Sequence, residues 1–492
     1  MKRAAQCKRL IMFLTSLVIL CIHTGMFWFV WDRFYNDRIH QPFVLRGNWL
    51  ILLVYVILLF TFSRIYGGYK IGYLRVSEVV YSQFLTLLFV NFITYCQISL
   101  IGRWLLNIWP MVFLTLAEMA ATVLWALVSN WIYFRLYPPR RMIIVYGNDS
   151  AAGLIKKMNQ RADKYKICAS ISIEEGLDEV FRQIQNYESV IICDVKTQLR
   201  NKLVKYCFDH SIRIYITPKI SDIILRGAED INLFDTPLLL CRNKGLTFEQ
   251  RFMKRALDLL LSSVAIVLTS PFMLIVAIAI KCYDGGPVLF KQKRCTLGGK
   301  VFEIYKFRSM IVDAEKNGNA HPATQDDPRI TPVGRIIRKT RLDELPQLFN
   351  ILLGDMSVVG PRPERVEHVE RYTKEIPEFS FRLKVKGGLT GYAQIVGKYN
   401  TSAYDKLKLD LMYIENYSFL MDLKLILMTI KIMFMKESTE GFSAEDIESK
   451  HLNISDSISP VAAVGAKKQE PQSAFLTSVA EPERPEEELA VK

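Results

Sequence analysis

The first quarter of the chain is written almost wholly in apolar residues. Four stretches, at about 10–31, 49–66, 79–101 and 109–134, are each long enough to cross a bilayer, which takes ~20 apolar residues. Trp28, Trp31, Trp49, Trp104 and Trp109 fall near their ends, as interfacial aromatics do. The first stretch is long and lacks a small-residue cleavage site, so a membrane helix fits it better than a removable signal peptide. Together they predict a four-helix transmembrane unit over 1–139. From Arg141 the texture changes. RMIIVYG, ESVIICDV and SIRIYIT read as buried strands, with AAGLIKKMNQ and GLDEVFRQIQNY as helices between them. That alternation predicts a Rossmann-like α/β unit with a parallel sheet over 140–241, then a linker over 242–251.

A fifth apolar segment, at about 254–281, reads KRALDLLLSSVAIVLTSPFMLIVAIAIK. By hydropathy alone it crosses the membrane. Its flanks argue otherwise. Arg251, Lys254 and Arg255 precede it, and Lys281, Lys291, Lys293 and Arg294 follow, so the positive-inside rule places both ends in the cytoplasm. Ser270-Pro271 sits in the middle, where proline removes a helix hydrogen bond. A helix that breaks there, enters one leaflet and returns satisfies both observations. A proline-kinked spanning helix is the alternative. Asp258 stands about one turn from Lys254 and Arg255, close enough to pair with them. Near the end, MDLKLILMTIKIMFMK is apolar nearly all round, interrupted by Lys424 and Lys431, and reads as an interfacial helix.

Charge narrows the partners. The chain has 492 residues and a formal charge of +14. From residue 437 on it holds 12 acidic and 5 basic residues and is rich in Ser, Pro and Ala, so 437–492 is expected to be a disordered acidic tail and the body is more basic still. A basic body with apolar segments points to an anionic membrane surface, a phosphate-bearing substrate, or both. No zinc-finger spacing, RNP-like aromatic pattern or basic repeat supports a nucleic-acid partner. Nine scattered cysteines without a CxxC pair read as reduced thiols. Lys and Arg cluster before the first stretch, between the second and third, and after the fourth, which places both ends of the four-helix unit in the cytoplasm. YGNDSAAG opens the α/β unit with Gly147 and Gly153 six apart and no GxGxxG, so a structural or regulatory role outweighs dinucleotide binding.

The chemistry concentrates in KTRLDELPQLFNILLGDMSVVGPRPE. Asp343 and Glu344 are adjacent, with Arg335, Arg338, Lys339 and Arg341 before them and Arg362 after. Leu345, Leu348, Phe349, Leu352 and Leu353 mark one face of a helix, with Gly354 as its stop. Asp343 is then a natural N-cap, with Pro346 in the first turn. The same helix start offers unpaired N–H groups to a phosphate, and its field would keep an acid ionised to bind Mg²⁺ or attack phosphorus. By local pattern, cap and catalyst stand level.

KRALDLLLSSVAIVLTSP, VLFKQKR, YKFRSM, RLDELPQLFNILLGDMSVVGPRPE and GLTGYAQIVGK, in this order over about 252–436, resemble the bacterial sugar transferases, the monotopic phosphoglycosyl transferases. The four spans and α/β unit ahead of them resemble the long form of that family. The resemblance implies a mostly helical catalytic domain over 252–436 with a re-entrant helix broken at Ser270-Pro271. It implies transfer of a sugar-1-phosphate from a UDP-sugar to undecaprenyl (polyprenyl) phosphate, releasing UMP and starting a surface glycan such as an exopolysaccharide, capsule or O-antigen. The family's acid pair falls on Asp343 and Glu344, with Asp343 as nucleophile to the β-phosphorus and both acids as Mg²⁺ ligands. Arg338 and Arg362 match phosphate-binding arginines, and Lys306 and Arg308 are further candidates. Gln347 is expected to hold the site together. Lys398 stands where many relatives carry an arginine, which puts its nucleotide contact in doubt. The implied setting is the bacterial inner membrane, multi-pass, with a cytoplasmic catalytic domain. A homo-oligomer is left open, as is the sugar. A decayed, non-catalytic membrane module is opposed by the intact acids and arginines. A CDP-alcohol type phosphotransferase would need spaced aspartates within spanning helices, which are not found.

Overall fold

The computed structural model describes residues 7–39, 41–44, 46–148, 150–241, 245–312, 314, 327–397 and 401–433. Lys398 and the expected tail at 437–492 lie outside the described residues.

The apolar stretches form helices α1 (Lys8–Val30), α2 (Arg46–Tyr66), α3 (Val76–Gly102) and α4 (Trp109–Leu136). α1 continues through a π-helical turn at Trp31–Tyr35. Phe27, Trp31, Tyr55, Leu59, Leu87, Val90 and Leu114 form a buried centre. The outer faces keep large apolar residues exposed, among them Phe13, Leu53, Phe92, Leu116 and Trp131. An apolar surface of this extent belongs against lipid or another protein rather than water. Inside, the Tyr55 hydroxyl donates to Glu118 Oε1 at 2.7 Å and Asn91 Nδ2 to Oε2 at 2.8 Å, so α2, α3 and α4 share one buried polar cluster.

Next comes a four-stranded parallel sheet, β1 (Arg140–Tyr146), β2 (Tyr165–Ser172), β3 (Ser189–Cys193) and β4 (Arg213–Ile216), in the order β2-β1-β3-β4. Helices α5 (Ser150–Asn159), α6 (Leu177–Ile184) and α7 (Thr197–Asp209) connect successive strands. The central strands are near-continuous runs of Ile and Val, as expected when both faces are covered. β2 was not read from the sequence, because KICASIS mixes polar and apolar residues. The following α8 (Ile220–Arg226) packs Ile220 and Ile223 into a cluster with Leu407 and Leu411, joining the sheet region to a later helical segment. A hairpin of β5 (Glu229–Leu233) and β6 (Thr236–Leu240) leads on to the fifth apolar segment.

That segment is α9 (Phe248–Asp284), capped at its start by Thr247, whose hydroxyl accepts from Gln250 N at 3.3 Å. Five helices among the described residues, α1 with its extension, α2, α3, α4 and α9, are long and apolar enough to cross a membrane. The expected interruption at Ser270-Pro271 is not seen as a gap in the helix, because Pro271 lies inside α9. Proline leaves the Val267 carbonyl without its usual N–H donor, and Ser270 Oγ donates to that oxygen at 2.8 Å. Asp258 does not pair with Lys254 or Arg255 as expected. It accepts from Ser357 Oγ at 2.9 Å and Val358 N at 2.8 Å. Lys254 turns instead to Asp422 at 2.7 Å and the Tyr413 hydroxyl at 3.0 Å, and Arg255 donates to the carbonyls of Ile351 and Leu352. At the other end of α9, Asp284 pairs with Arg308. One folded body therefore grips both ends of the helix.

That body contains the antiparallel hairpin β7 (Leu289–Cys295) and β8 (Val301–Phe307), then α10 (Pro332–Lys339), α11 (Gln347–Leu353), β9 (Ser357–Val359), α12 (Val366–Glu375), β10 (Gly388–Thr390), α13 (Tyr392–Val396), α14 (Ala403–Glu415) and α15 (Phe419–Met433). β9 and β10 pair in parallel, bringing VVGPRPE beside KGGLTGY. A side chain on Gly388 would lie 2.1 Å from Gly360 N, and one on Gly391 2.2 Å from Gly360 O, so these glycines serve backbone-to-backbone contact. α15 is not simply laid on lipid as expected. Lys431 is buried, donating to Ser82 Oγ at 2.7 Å and to the Tyr66 carbonyl at 3.2 Å, where α2 ends. A cation there complements the helix dipole.

Candidate active site

The acid pair is held between β8, α10 and the loop after β9. Thr331 caps α10, accepting from Gly334 N at 2.9 Å, and Pro332 follows in the first turn, where its missing N–H costs nothing. A side chain on Gly334 would lie 1.9 Å from the Ser309 carbonyl, so only glycine lets α10 start against the end of β8. Arg341 then takes a left-handed conformation, φ 57°, and turns the chain into a short 3₁₀ turn, Leu342–Glu344. Asp343 is thus inside this turn and does not cap a helix as expected. α11 begins only at Gln347, with Pro346 at the N-cap.

α11 is also rotated from its expected face. Leu348 and Ile351 are buried with Gln347 and Asn350, whereas Phe349 and Leu353 are exposed. Asn350 decides this. Its Oδ1 accepts from Tyr305 N at 2.9 Å and its Nδ2 donates to the Glu303 carbonyl at 2.7 Å, which fastens α11 to β8. Gly354 ends the helix with φ 95°, as expected. The fastening brings Lys306 of β8 to the acids.

Glu344 is the anchored member of the pair. Arg362 Nη2 donates to its Oε1 at 2.6 Å and Lys306 Nζ to the same oxygen at 3.1 Å. Burial opposes its ionisation, but Arg362, Lys306 and Arg341 outweigh that and hold its carboxyl far below the usual range. Asp343 behaves oppositely. Among the described residues it makes no hydrogen bond or ion pair. Burial and the Glu344 charge raise its pKa, against the pull of Lys306, Arg338 and Arg362. The expectation that a helix field lowers it is corrected: the residue sits in a short turn, and burial, joined by the neighbouring acid, dominates. Two adjacent carboxyls are pushed apart, the arrangement that divides roles between paired acids.

The other expected residues separate into two groups. Lys306, Arg338 and Arg362 surround the pair. Gln347, at the start of α11, is buried, and its Nε2 has no acceptor among the described residues. Arg308 is turned away, its guanidinium buried against Asp284 at the end of α9. Ser270 and Pro271 lie in α9, apart from the acids in sequence.

A supporting layer was not read from the sequence. Arg382 is buried, lies 2.8 Å from Asp410 Oδ2 and 3.6 Å from Glu364 Oε1, and donates to the Arg362 carbonyl at 2.9 Å. Arg294 donates to the Pro363 carbonyl at 3.1 Å, and burial, with Arg362 nearby, lowers its pKa to about 10. These contacts set the GPRPE loop and so aim Arg362. The sequence signal for Arg382 was weak: it shares the short FRLKV stretch with a second cation, Lys384.

The bacterial sugar transferase family model matches residues 249–436. The chain is 36% identical over 267 residues, 53% of its length and 56% of the relative's, to the UDP-glucose:undecaprenyl-phosphate glucose-1-phosphate transferase of Klebsiella pneumoniae. It is 45% identical over 183 residues, 37% of its length and 43% of the relative's, to a UDP-N-acetylgalactosamine-undecaprenyl-phosphate N-acetylgalactosaminephosphotransferase of Aeromonas hydrophila. The chain spans about half the length of these relatives. It is 40% identical over 188 residues to the uncharacterized sugar transferase EpsL of Bacillus subtilis, covering 38% of this chain and 90% of that protein. By a match that takes in nearly the whole of EpsL, this chain belongs to the bacterial sugar transferase family.

Proposed function

We propose that this protein transfers a hexose-1-phosphate from a UDP-sugar to undecaprenyl phosphate, releasing UMP and starting a surface polysaccharide at the cytoplasmic face of the bacterial inner membrane. The observation that carries the reading is the division of labour at the pair: Glu344 is fixed as an anion by Arg362 and Lys306, while Asp343 is left unbonded among the described residues beside Arg338. In this reading Asp343 attacks the β-phosphorus of the UDP-sugar. The Asp343 oxygen–phosphorus bond forms as the bond to the UMP oxygen breaks, giving an aspartyl-phosphosugar and UMP. An oxygen of the lipid phosphate then attacks the same phosphorus and frees the Asp343 carboxylate. A raised pKa makes that carboxylate more basic and a better nucleophile toward phosphorus. Arg338 and Arg362 receive the diphosphate, for which planar guanidinium suits bidentate contact. Gln347 offers a buried donor, which costs about 1–3 kcal/mol when unmet and which a phosphate oxygen satisfies.

The donor set fits Mg²⁺. Among the described residues no cluster of three or more His, Cys, Asp or Glu side chains stands ready to hold a metal, but Mg²⁺ is commonly bound by one or two carboxylates plus substrate phosphates. Asp343 and Glu344 would hold it. Bound there, it offsets phosphate charge that would otherwise repel the carboxylates.

We read α1–α4 as the membrane domain over 1–139, the sheet region as a Rossmann-like domain over 140–241, and 252–436 as the catalytic domain. α9 enters one leaflet and returns. Support comes from its contacts: Lys254, Arg255 and Asp258 near one end and Asp284 at the other touch the same body, which a helix crossing the bilayer would have to straddle. The function is tested by incubating the purified protein with UDP-hexoses, Mg²⁺ and undecaprenyl phosphate. UMP release with at least one sugar is expected; none with any common UDP-hexose contradicts the reading.

A further inference from the structure

Hydrogen bonds from two bundle helices converge on one residue of α15. Lys431 Nζ donates to Ser82 Oγ of α3 at 2.7 Å and to the Tyr66 carbonyl at the end of α2 at 3.2 Å. The Tyr81 hydroxyl donates to the Lys431 carbonyl at 3.1 Å. Lys424, earlier on the same helix, is exposed. A helix that only lies on lipid has no need to bury an ammonium. Taking a cation out of water is costly unless its donors are met, so Lys431 is accommodated only where Ser82 and Tyr66 stand. The joint therefore fixes one placement of α15 against α2 and α3.

From that joint two short paths lead to the acid pair. Thr429, close to Lys431 on α15, shares a hydrogen bond with the Thr390 hydroxyl at 2.7 Å. The Thr390 carbonyl accepts from Gly360 N at 2.8 Å, and Gly388 N donates to the Pro361 carbonyl at 2.9 Å. Arg362 follows Pro361 directly and donates to Glu344. On the second path, Asp422 of α15 accepts from the Tyr413 hydroxyl at 2.7 Å, and that oxygen lies 3.4 Å from the Val359 carbonyl at the end of β9. Thr390, Asp422 and Tyr413 are all buried, so both paths run through close-packed groups that transmit a displacement. We infer that Lys431 is a positioning residue for the transfer: by fixing α15 to the membrane bundle it sets the loop after β9, and so aims Arg362 at Glu344 and at the donor diphosphate. The inference rests on the transfer reaction proposed above. It gives the four-helix bundle a part in aligning the site as well as in anchoring the chain.

Two measurements on the full chain in lipid nanodiscs test it. Lys431→Met removes the ammonium and keeps a long, apolar side chain. It is expected to cut UMP release about tenfold in the otherwise unsubstituted protein but less than about twofold in an Arg362→Ala background, because residues that act through one another are not additive. An equal loss in both backgrounds, or no loss in either, overturns the inference. Hydrogen–deuterium exchange reads the same link without turnover, so it stands whether or not the unsubstituted protein releases UMP. Amide exchange over residues 357–365 is expected to quicken in Lys431→Met while β1 and β3 keep their rates. Unchanged exchange over 357–365, or a rise shared by β1 and β3, overturns the inference. Should Lys431→Met fail to fold, Thr429→Val cuts the first path beyond the membrane joint. It is expected to quicken exchange over the same residues, and unchanged exchange there overturns the inference.

Discussion

Arg362 Nη2 lies 2.6 Å from Glu344 Oε1, so the arginine that the sequence offers for phosphate is already bonded to a carboxylate. The contact fixes the charge of Glu344 and the direction of Arg362 at once. Arg362→Ala removes both, and UMP release is expected to fall about 10²–10³-fold, the range seen when one charge-stabilising donor is lost. Arg362→Lys keeps the charge but not the fork, so it should restore only part of that loss. Full activity in either variant contradicts the role.

The two acids should answer to substitution in opposite ways. The pKa of Asp343 is raised in the folded protein, so its ionised form costs stability at neutral pH, and the cost disappears as pH falls below that raised value. Asp343→Asn should therefore raise the melting temperature while ending turnover. The pKa of Glu344 is depressed, so it adds stability above its unfolded pKa, which is lost as pH falls through the folded value. Glu344→Gln should lower the melting temperature. Calorimetry of both variants at neutral pH checks the pair; a shift in the same direction contradicts the assignment.

The same asymmetry sets a pH profile. UMP release needs Asp343 ionised, so its acid limb should lie above the ordinary aspartate range, and Asp343 is the group whose raised pKa sets it. A rate that stays flat down to the ordinary aspartate pKa would remove Asp343 as the titrating nucleophile.

How much of this was legible follows from where the information sits. The first four apolar stretches and the Ile- and Val-rich β1 and β3 are local patterns, and they form helices and strands as read, whereas α9 runs unbroken through Ser270-Pro271. Asp343 and Glu344 were legible as a pair because they are adjacent. Their difference was not, because it depends on Lys306 and Arg362, 37 and 19 residues from Asp343 in the chain and joined to Glu344 only by folding. Arg308 was misdirected for the converse reason: YKFRSM puts two cations two residues apart, yet Lys306 faces Glu344 and Arg308 faces Asp284. The rotation of α11 turned on Asn350, a polar residue in an apolar run whose two buried bonds to β8 no periodicity reveals.

Arg382 should matter for stability before chemistry. It joins buried Asp410, Glu364 and the Arg362 carbonyl, and burial pushes the Asp410 carboxyl up to about 6 even with Arg382 beside it. Arg382→Met strands that acid, at a cost of about 3–5 kcal/mol. Denaturant unfolding of the variant measures it. A loss below about 1 kcal/mol would mean that the network does not hold the loop.

Membrane topology can be read from a native residue. Cys282 follows Lys281 directly and is exposed. With the other cysteines replaced, an impermeant thiol reagent added outside intact cells should leave it unlabelled until the membrane is opened. Ready labelling from outside would make α9 a fifth span.

The central claim is that Asp343 carries the sugar phosphate between the two substrates. Intact-protein mass spectrometry after incubation with a UDP-sugar and Mg²⁺, without lipid acceptor, tests it most directly. The account predicts a mass gain of one sugar phosphate, located on the peptide containing Asp343, absent from Asp343→Asn and discharged on adding undecaprenyl phosphate. An adduct that persists in Asp343→Asn, or UMP release by that variant at the unsubstituted rate, would contradict it.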